Sequence, residues 1–213
     1  ITPQGPLLLA TILRQRYGVC ATIVDLNGYR IKDMEAVRRN LPNGRHLTHD
    51  ETFNLIQDHV RHHGTPDVVG FSGKITTLCW QEEVARMIRR LLPDVFLVSG
   101  NGLATELKTG LFQYIPELDG VAHSEGDDII IKIVYDAKII KDIGIEAGIN
   151  SGKLAPYYLG EIGGRHRFMY AGGRPKDLNG VPFADLEILS EDVWQGRQLL
   201  EYYIGNPVWG TSA

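Results

Sequence analysis

Pro66-Asp67-Val68-Val69-Gly70-Phe71-Ser72-Gly73, answered by Val95-Phe96-Leu97-Val98-Ser99-Gly100-Asn101-Gly102, decides the fold. Each is a short apolar run that stops at a serine and a glycine. After the first run comes the loop Lys74-Ile75-Thr76-Thr77, and then Trp80, Val84, Met87, Ile88 and Leu91, which fall on one helix face. Pro93 ends that helix. A strand–helix–strand unit of this length predicts a right-handed parallel crossover. In an open parallel sheet the carboxyl ends of the strands form the ligand crevice, and here both strands end in small residues.

Working outward toward the amino end, residues 48–51 (Thr-His-Asp-Glu) form a capping-box pattern. It opens a helix through Phe53, Ile56 and Val60 that stops before Gly64. Residues 27–42 are looser, with one or two helical turns expected over 33–39. Residues 19–26 read as a strand with Asp25 at its carboxyl end. Residues 1–5 read as the tail of another strand, followed by a helix from Pro6 through Leu7, Leu8, Leu9, Ile12 and Leu13 to a Gly18 cap.

Toward the carboxyl end, residues 105–114 form a short helix or loop closed by Pro116, and 119–124 form a strand ending in Glu125-Gly126. Asp127 is placed to cap a helix through Ile130, Ile133, Val134 and Ala137. The β-α alternation specifies an α/β fold, a doubly wound parallel sheet of flavodoxin-like Rossmann type with strand order 2-1-3-4-5. Beyond Gly144 the pattern changes. Residues 157–162 and 165–171 flank Gly163-Gly164 as a C-terminal β-hairpin, an extended Gly/Pro-rich linker covers 172–183, and residues 194–203 suit a last helix. The expected division is 1–145 for the sheet domain and 146–213 for hairpin and linker, a tail with little core of its own.

Composition narrows the class. With 213 residues, 43% apolar and 23% charged, the chain fits one globular domain plus an appendage. A net charge of -4 without a basic stripe argues against a nucleic-acid partner, and no stretch is long enough for a membrane helix. No signal peptide is visible, and the start at Ile1 reads as a cut or disordered end. Cys20 and Cys79 make neither a disulfide framework nor a metal motif, so they read as buried thiols in a reducing cytoplasm.

Three strand ends carry the functional reading: Ser72-Gly73, Ser99-Gly100 and Ser124-Glu125-Gly126. Small residues at neighbouring ends leave room for a large flat or extended ligand, with hydroxyls and backbone N–H groups as donors. The Gly100-Asn101-Gly102 turn lacks the third glycine of a dinucleotide fingerprint. His46, His49, His59, His62, His63 and His166 read as solvated. His123, near the end of its strand, faces the crevice or is a satisfied strand residue. Asp127 and Asp128 read as helix-start charges rather than catalytic acids. No catalytic residue and no metal ligand is assigned.

Five runs in order carry a resemblance: Pro-Gln-Gly-Pro-Leu-Leu-Leu-Ala (3–10), Ile-Val-Asp-Leu (23–26), Pro-Asp-Val-Val-Gly-Phe-Ser (66–72), Val-Ser-Gly-Asn-Gly (98–102) and Glu-Leu-Asp-Gly-Val-Ala-His-Ser-Glu-Gly-Asp (117–127). Together they resemble the N-terminal cobalamin-binding domain of cobalamin-dependent radical S-adenosylmethionine enzymes, among them methyltransferases and the anaerobic porphyrin-ring cyclase. The resemblance covers residues 1 to about 140. Gly180-Val181-Pro182-Phe183-Ala184-Asp185-Leu186 resembles the lead into the radical domain of such enzymes.

The resemblance implies base-off cobalamin at the strand ends. Its contacts would be Thr2, Pro3, Gln4, Ser72, Gly73, Lys74, Ile75, Thr76, Thr77, Ser99, Gly100, Asn101, Gly102, Ser124, Glu125 and Gly126. It further implies a radical domain of the same polypeptide, holding a 4Fe–4S cluster and S-adenosylmethionine. The chain departs from related patterns in two ways. It has no Asp-x-His-x-x-Gly to place a histidine on cobalt, and no Cys-x-x-x-Cys-x-x-Cys for the cluster, so this stretch alone is expected to bind and not to catalyse. The alternatives are a flavodoxin-like adaptor or sensor without cofactor, and a small nucleotide- or flavin-binding protein.

Overall fold

The computed structural model describes residues 3–38, 40, 47–154, 156–174 and 179–205. In chain order its elements are α1 (Gln4–Tyr17), α2 (Leu26–Arg38), α3 (His49–His63), β1 (Val68–Ser72), α4 (Leu78–Leu91), β2 (Phe96–Gly100), α5 (Asn101–Leu107), α6 (Leu111–Tyr114), β3 (Gly120–His123), α7 (Ile130–Ile143), α8 (Ile145–Asn150), β4 (Tyr158–Ile162), β5 (Arg165–Ala171) and α9 (Arg197–Gly205). The chain divides into two compact units, Ile1–Gly64 with Phe183–Ala213, and Thr65–Pro182. The expected boundary at 145/146 falls inside the second unit, at the start of α8.

The second unit is a mixed α/β body. Its sheet runs β1-β2-β3-β5-β4, parallel except for β4, which is antiparallel to β5. Register pairs Val68 with Phe96, Val98 with Gly120 and Gly120 with Phe168. Alternation along each strand then separates two faces. On one face Phe96, Val98, Phe168 and Tyr170 pack with Ile129, Ile133, Ala137 and Leu154. On the other, Leu97 and Val121 are fully buried and Ser99 meets Gln81 of α4. Helices flank both faces, as a doubly wound sheet requires.

The expected order 2-1-3-4-5 is not found. Its last three members stand side by side as β1, β2 and β3, but among the described residues no strand forms at either expected amino-terminal place. Gln4 already belongs to α1, with Pro3 at the N-cap, and residues 18–25 carry no ladder. Residues 19–25 pair with no strand, and their hydrogen bonds go to α1 and α3, with Val19 N donating to Leu13 O at 3.0 Å and Arg14 Nε to Ala21 O at 2.6 Å. Ala21 and Ile23 instead pack against the helical core of the first unit. The hairpin forms as expected, around Gly163 and Gly164 at φ 63° and 74°. Two successive left-handed residues suit a two-residue turn with the twist of the strands. It is no appendage, however, because Phe168 and Tyr170 are fully buried in the sheet's core. An alternating run with aromatic residues at both inward positions finds its best burial beside β3.

In the first unit, Leu7 and Ala10 of α1 pack with Ile188, Leu189, Leu199, Leu200 and Tyr203. Gly18 caps α1 at φ 63° and Thr48 and Glu51 form the capping box of α3, as expected. The helix expected over 33–39 is longer, starting at Leu26 behind Asp25, whose carboxylate accepts from Gly28 N at 3.1 Å. Arg14 donates to both carboxylate oxygens of Glu191 at 2.7 and 2.5 Å.

Three other expectations need correction. Cys20 and Cys79 are exposed, not buried. His59 is buried rather than solvated, because it lies on the inward side of α3 with Leu55 and Ile56, where Thr22 Oγ1 is 2.8 Å from its Nε2. Finally, the N-cap position of α7 is Ile129, not Asp127. His46 lies outside the described residues.

Candidate functional site

β1, β2 and β3 are parallel neighbours, so their carboxyl ends share one edge, with Ser72 paired to Gly100 and Ser99 to Val121. That edge brings together Ser72-Gly73, Ser99-Gly100 and Ser124-Glu125-Gly126. Ser72, Lys74, Ile75, Thr76, Asn101, Gly102, Ser124 and Glu125 are exposed there. Gly73, Thr77, Gly100 and Gly126 are half-buried and Ser99 is fully buried. Pro3 and Gln4 belong to the first unit, at the start of α1, and Thr2 lies outside the described residues.

The rim is built from residues in unusual conformations. Asn101 directly follows β2 and Ser124 directly follows β3, and both are left-handed, at φ 71° and 67°. A non-glycine residue there costs about 1 kcal/mol or more and persists only where its surroundings hold it. Asn101 Nδ2 donates to Ser72 Oγ at 3.0 Å, while Asn101 Oδ1 accepts from Gly102 N at 2.6 Å. Thr105 Oγ1 donates to Asn101 O at 3.1 Å and accepts from Ser124 N at 3.3 Å. His123 Nδ1 lies 3.1 Å from Ser124 Oγ. One hydrogen-bonded chain thus crosses three strand ends.

The loop after β1 is held from within. Thr77 Oγ1 accepts from Lys74 N at 3.2 Å and donates to Lys74 O at 2.9 Å, closing a single turn over Ile75–Thr77. Gly73 O accepts from Leu103 N at 3.4 Å, tying the loop to α5. Ile75, 65% exposed, is an apolar tip beside the polar rim. Space remains above. A Cβ added to Gly102 would meet nothing within 4 Å, and one on Gly100 would touch only carbonyl oxygens of Ala122 and Phe71 at 3.8 and 3.9 Å. β5 ends at the same edge, where Gly172 N donates to His123 O at 3.0 Å and the Glu125 carbonyl leaves no room for a Cβ on Gly172.

Chemically the edge offers hydroxyls, one carboxamide and backbone groups, with Lys74 and Glu125 as its charges. That set suits neutral hydrogen-bonding groups such as amides, beside a modest apolar surface. The strongly shifted titrations lie elsewhere. Burial pushes Asp136 of α7 up to about 6, against the opposing hydrogen bond from Tyr170 and the charge of Lys132. Burial and His63 push His59 in the first unit down to about 4. Among the described residues no group of three His, Cys, Asp or Glu side chains is placed to hold a metal ion.

Two residues of the rim network were not singled out by sequence. Gln81 carried a signal: it stands in the inward stripe of α4 with Val84, Ala85 and Ile88, a polar residue at a core position. Thr105, four residues after Asn101, carried none. Fold and edge together define a mixed α/β protein, with a mostly parallel five-stranded sheet flanked by helices and small residues gathered at the carboxyl ends of its strands. No family model, no curated protein and no solved structure matches this chain.

Proposed function

We propose that the second unit is the cobalamin-binding module of a radical S-adenosylmethionine enzyme. The observation that carries the reading is the edge itself: three adjacent strand ends of small residues, two locked in left-handed conformations, with open space beside Gly102. Such an edge accepts a large, flat, amide-bearing cofactor better than a small charged one. Ser72, Thr76, Asn101 and Ser124 would bond its amides, and Gly100, Gly102 and Ile75 would lie against its ring. Cobalamin, when bound, supplies a cobalt that carries a methyl group for transfer, or takes part in ring cyclisation.

In this reading the whole enzyme is cytoplasmic and is a methyltransferase or a cyclase. Its 4Fe–4S cluster and S-adenosylmethionine belong to a radical domain outside this module. No helix of the described residues is long and apolar enough to cross a membrane. The test is uptake of hydroxocobalamin followed by desalting. Retained corrinoid absorbance in the wild type, lost in Gly102→Leu with helical content unchanged, is the expected result. A colourless wild type, or a Gly102→Leu variant that binds as well, overturns the proposal. The adaptor and the flavin or nucleotide alternatives all predict no retained corrinoid absorbance.

A further inference from the structure

Gln81 lies where a core helix would place an aliphatic residue. It is 7% exposed, and Val84, Ala85 and Ile88 follow it on the same buried face. A buried carboxamide lowers stability unless both of its ends are bonded, and a leucine there would be the safer choice for packing alone. Gln81 uses both ends. Its Nε2 donates to Thr77 Oγ1 at 3.1 Å, and its Oε1 faces Ser99 Oγ at 3.5 Å, the outer limit of a hydrogen bond.

The glycine above it completes the arrangement. A Cβ on Gly73 would collide with Gln81 Nε2, lie 2.6 Å from Thr77 Oγ1 and 2.8 Å from Gln81 Cδ. The amide therefore lies flat against bare backbone, in the volume that a side chain at residue 73 would fill. Thr77 Oγ1, with one donor and two acceptor positions, is then fully used by Lys74 O, Lys74 N and Gln81 Nε2. One buried side chain of α4 thus links the exit of β1 to the end of β2 and fixes the turn that exposes Lys74, Ile75 and Thr76.

We propose that Gln81 is a positioning residue of the crevice: by holding Gly73 and Thr77 it sets the shape of the 73–77 loop and, through it, affinity for the ligand. The affinity half rests on the corrinoid reading above; the loop half does not. Rules of local consistency are broken where function demands it, and a polar residue in a core stripe beneath a binding loop is such a place.

The experiment compares wild type with Gln81→Met, which keeps length and apolar packing but removes the amide. Thr77→Val and the double variant complete the set. Two quantities are read: hydrogen exchange at the Lys74 and Thr77 amides of the ligand-free protein, and affinity for hydroxocobalamin by absorbance titration. Gln81→Met should keep the wild-type melting behaviour, exchange about tenfold faster at Lys74, and bind about tenfold more weakly. The double variant should be no worse than the poorer single one, because the two groups act as a unit.

Unchanged exchange at Lys74 in Gln81→Met overturns the proposal, and so does faster exchange with undiminished affinity. A wild type that takes up no hydroxocobalamin overturns the corrinoid reading and the affinity half with it. Exchange still decides the loop half in that case, so the two failures are distinguishable.

Discussion

Replacing Asp136 with asparagine should change how the second unit's stability depends on pH. Asp136 is 5% exposed on α7, and its carboxylate accepts from the hydroxyl of Tyr170, itself fully buried beside Phe96 and Phe168. Burial in this aromatic surrounding disfavours the charged form and raises the carboxyl from 3.8 to about 6; Tyr170 and Lys132 oppose the shift but do not cancel it. The folded state therefore binds the proton more tightly than the unfolded one. That contribution is fully present below pH 4 and is lost as pH rises through 6. About two pH units, at about 1.4 kcal/mol per unit, set an upper limit near 3 kcal/mol. Asparagine keeps an acceptor for Tyr170 but carries no charge. The advantage of Asp136→Asn over wild type should grow from near zero at pH 4 to about 2 kcal/mol at pH 7. Hydrogen exchange at amides of β3 and β5 reports this unit separately from Asp25 and His59 in the other. Parallel pH profiles for the two proteins, or a carbon-13 titration of the Asp136 carboxyl near 4, would refute the reasoning.

Gly73→Ala and Gly102→Ala should differ sharply in thermal unfolding. The first displaces Gln81 and Thr77 and should lose about 2 kcal/mol, while the second projects into open space and should stay within about 0.5 kcal/mol of wild type. Asp119→Ala removes the carboxylate that accepts from Arg89 at 2.6 Å, Arg165 at 2.7 Å and Leu97 N at 2.8 Å. A loss of roughly 3 kcal/mol is expected in denaturant unfolding, with exchange in the hairpin accelerating first. In the cob(II)alamin-loaded protein, the electron paramagnetic resonance spectrum should show no nitrogen hyperfine coupling from a protein histidine. A lysine ammonium and an isoleucine on the 73–77 loop offer cobalt no lone pair. Histidine coupling that disappears in His123→Gln would contradict this.

The central crossover was legible because its signals are local. Apolar runs of five residues, a helix stripe between them and serine–glycine stops place β1, α4 and β2 within two residues of expectation. The capping box at Thr48 and the Gly163-Gly164 turn were equally direct. What escaped depends on partners distant in sequence. Residues 19–25 read as a strand, yet a strand exists only with a neighbouring strand, and Ala21 and Ile23 found a helical core instead. The hairpin's place beside β3 is likewise a tertiary fact. The tail read as having little core of its own, yet Arg165 bonds Asp119, and Arg167 bonds the carbonyls of Ile162 and Pro116 over the ring of Phe112. The exposed cysteines show the limit of residue-type averages.

At the crevice, sequence could find the small residues but not what they are small for. The two ends of the sheet make the contrast. At the amino end of the strands, Arg89, Arg165 and Asp119 pair with each other and with backbone, an arrangement whose work is to hold β2, β3 and the hairpin in register. At the carboxyl end the chain does things that stability alone would not select. It places Asn101 and Ser124 in left-handed conformations, leaves Gly102 facing open space, and puts a carboxamide in a core stripe beneath a bare glycine. Among the described residues four non-glycine residues have positive φ, and two of them, Asn101 and Ser124, sit on this edge, the others being Asn40 and Lys108. Under the cobalamin reading proposed above, a ligand at the edge where parallel sheets take theirs would be the common cause of these choices.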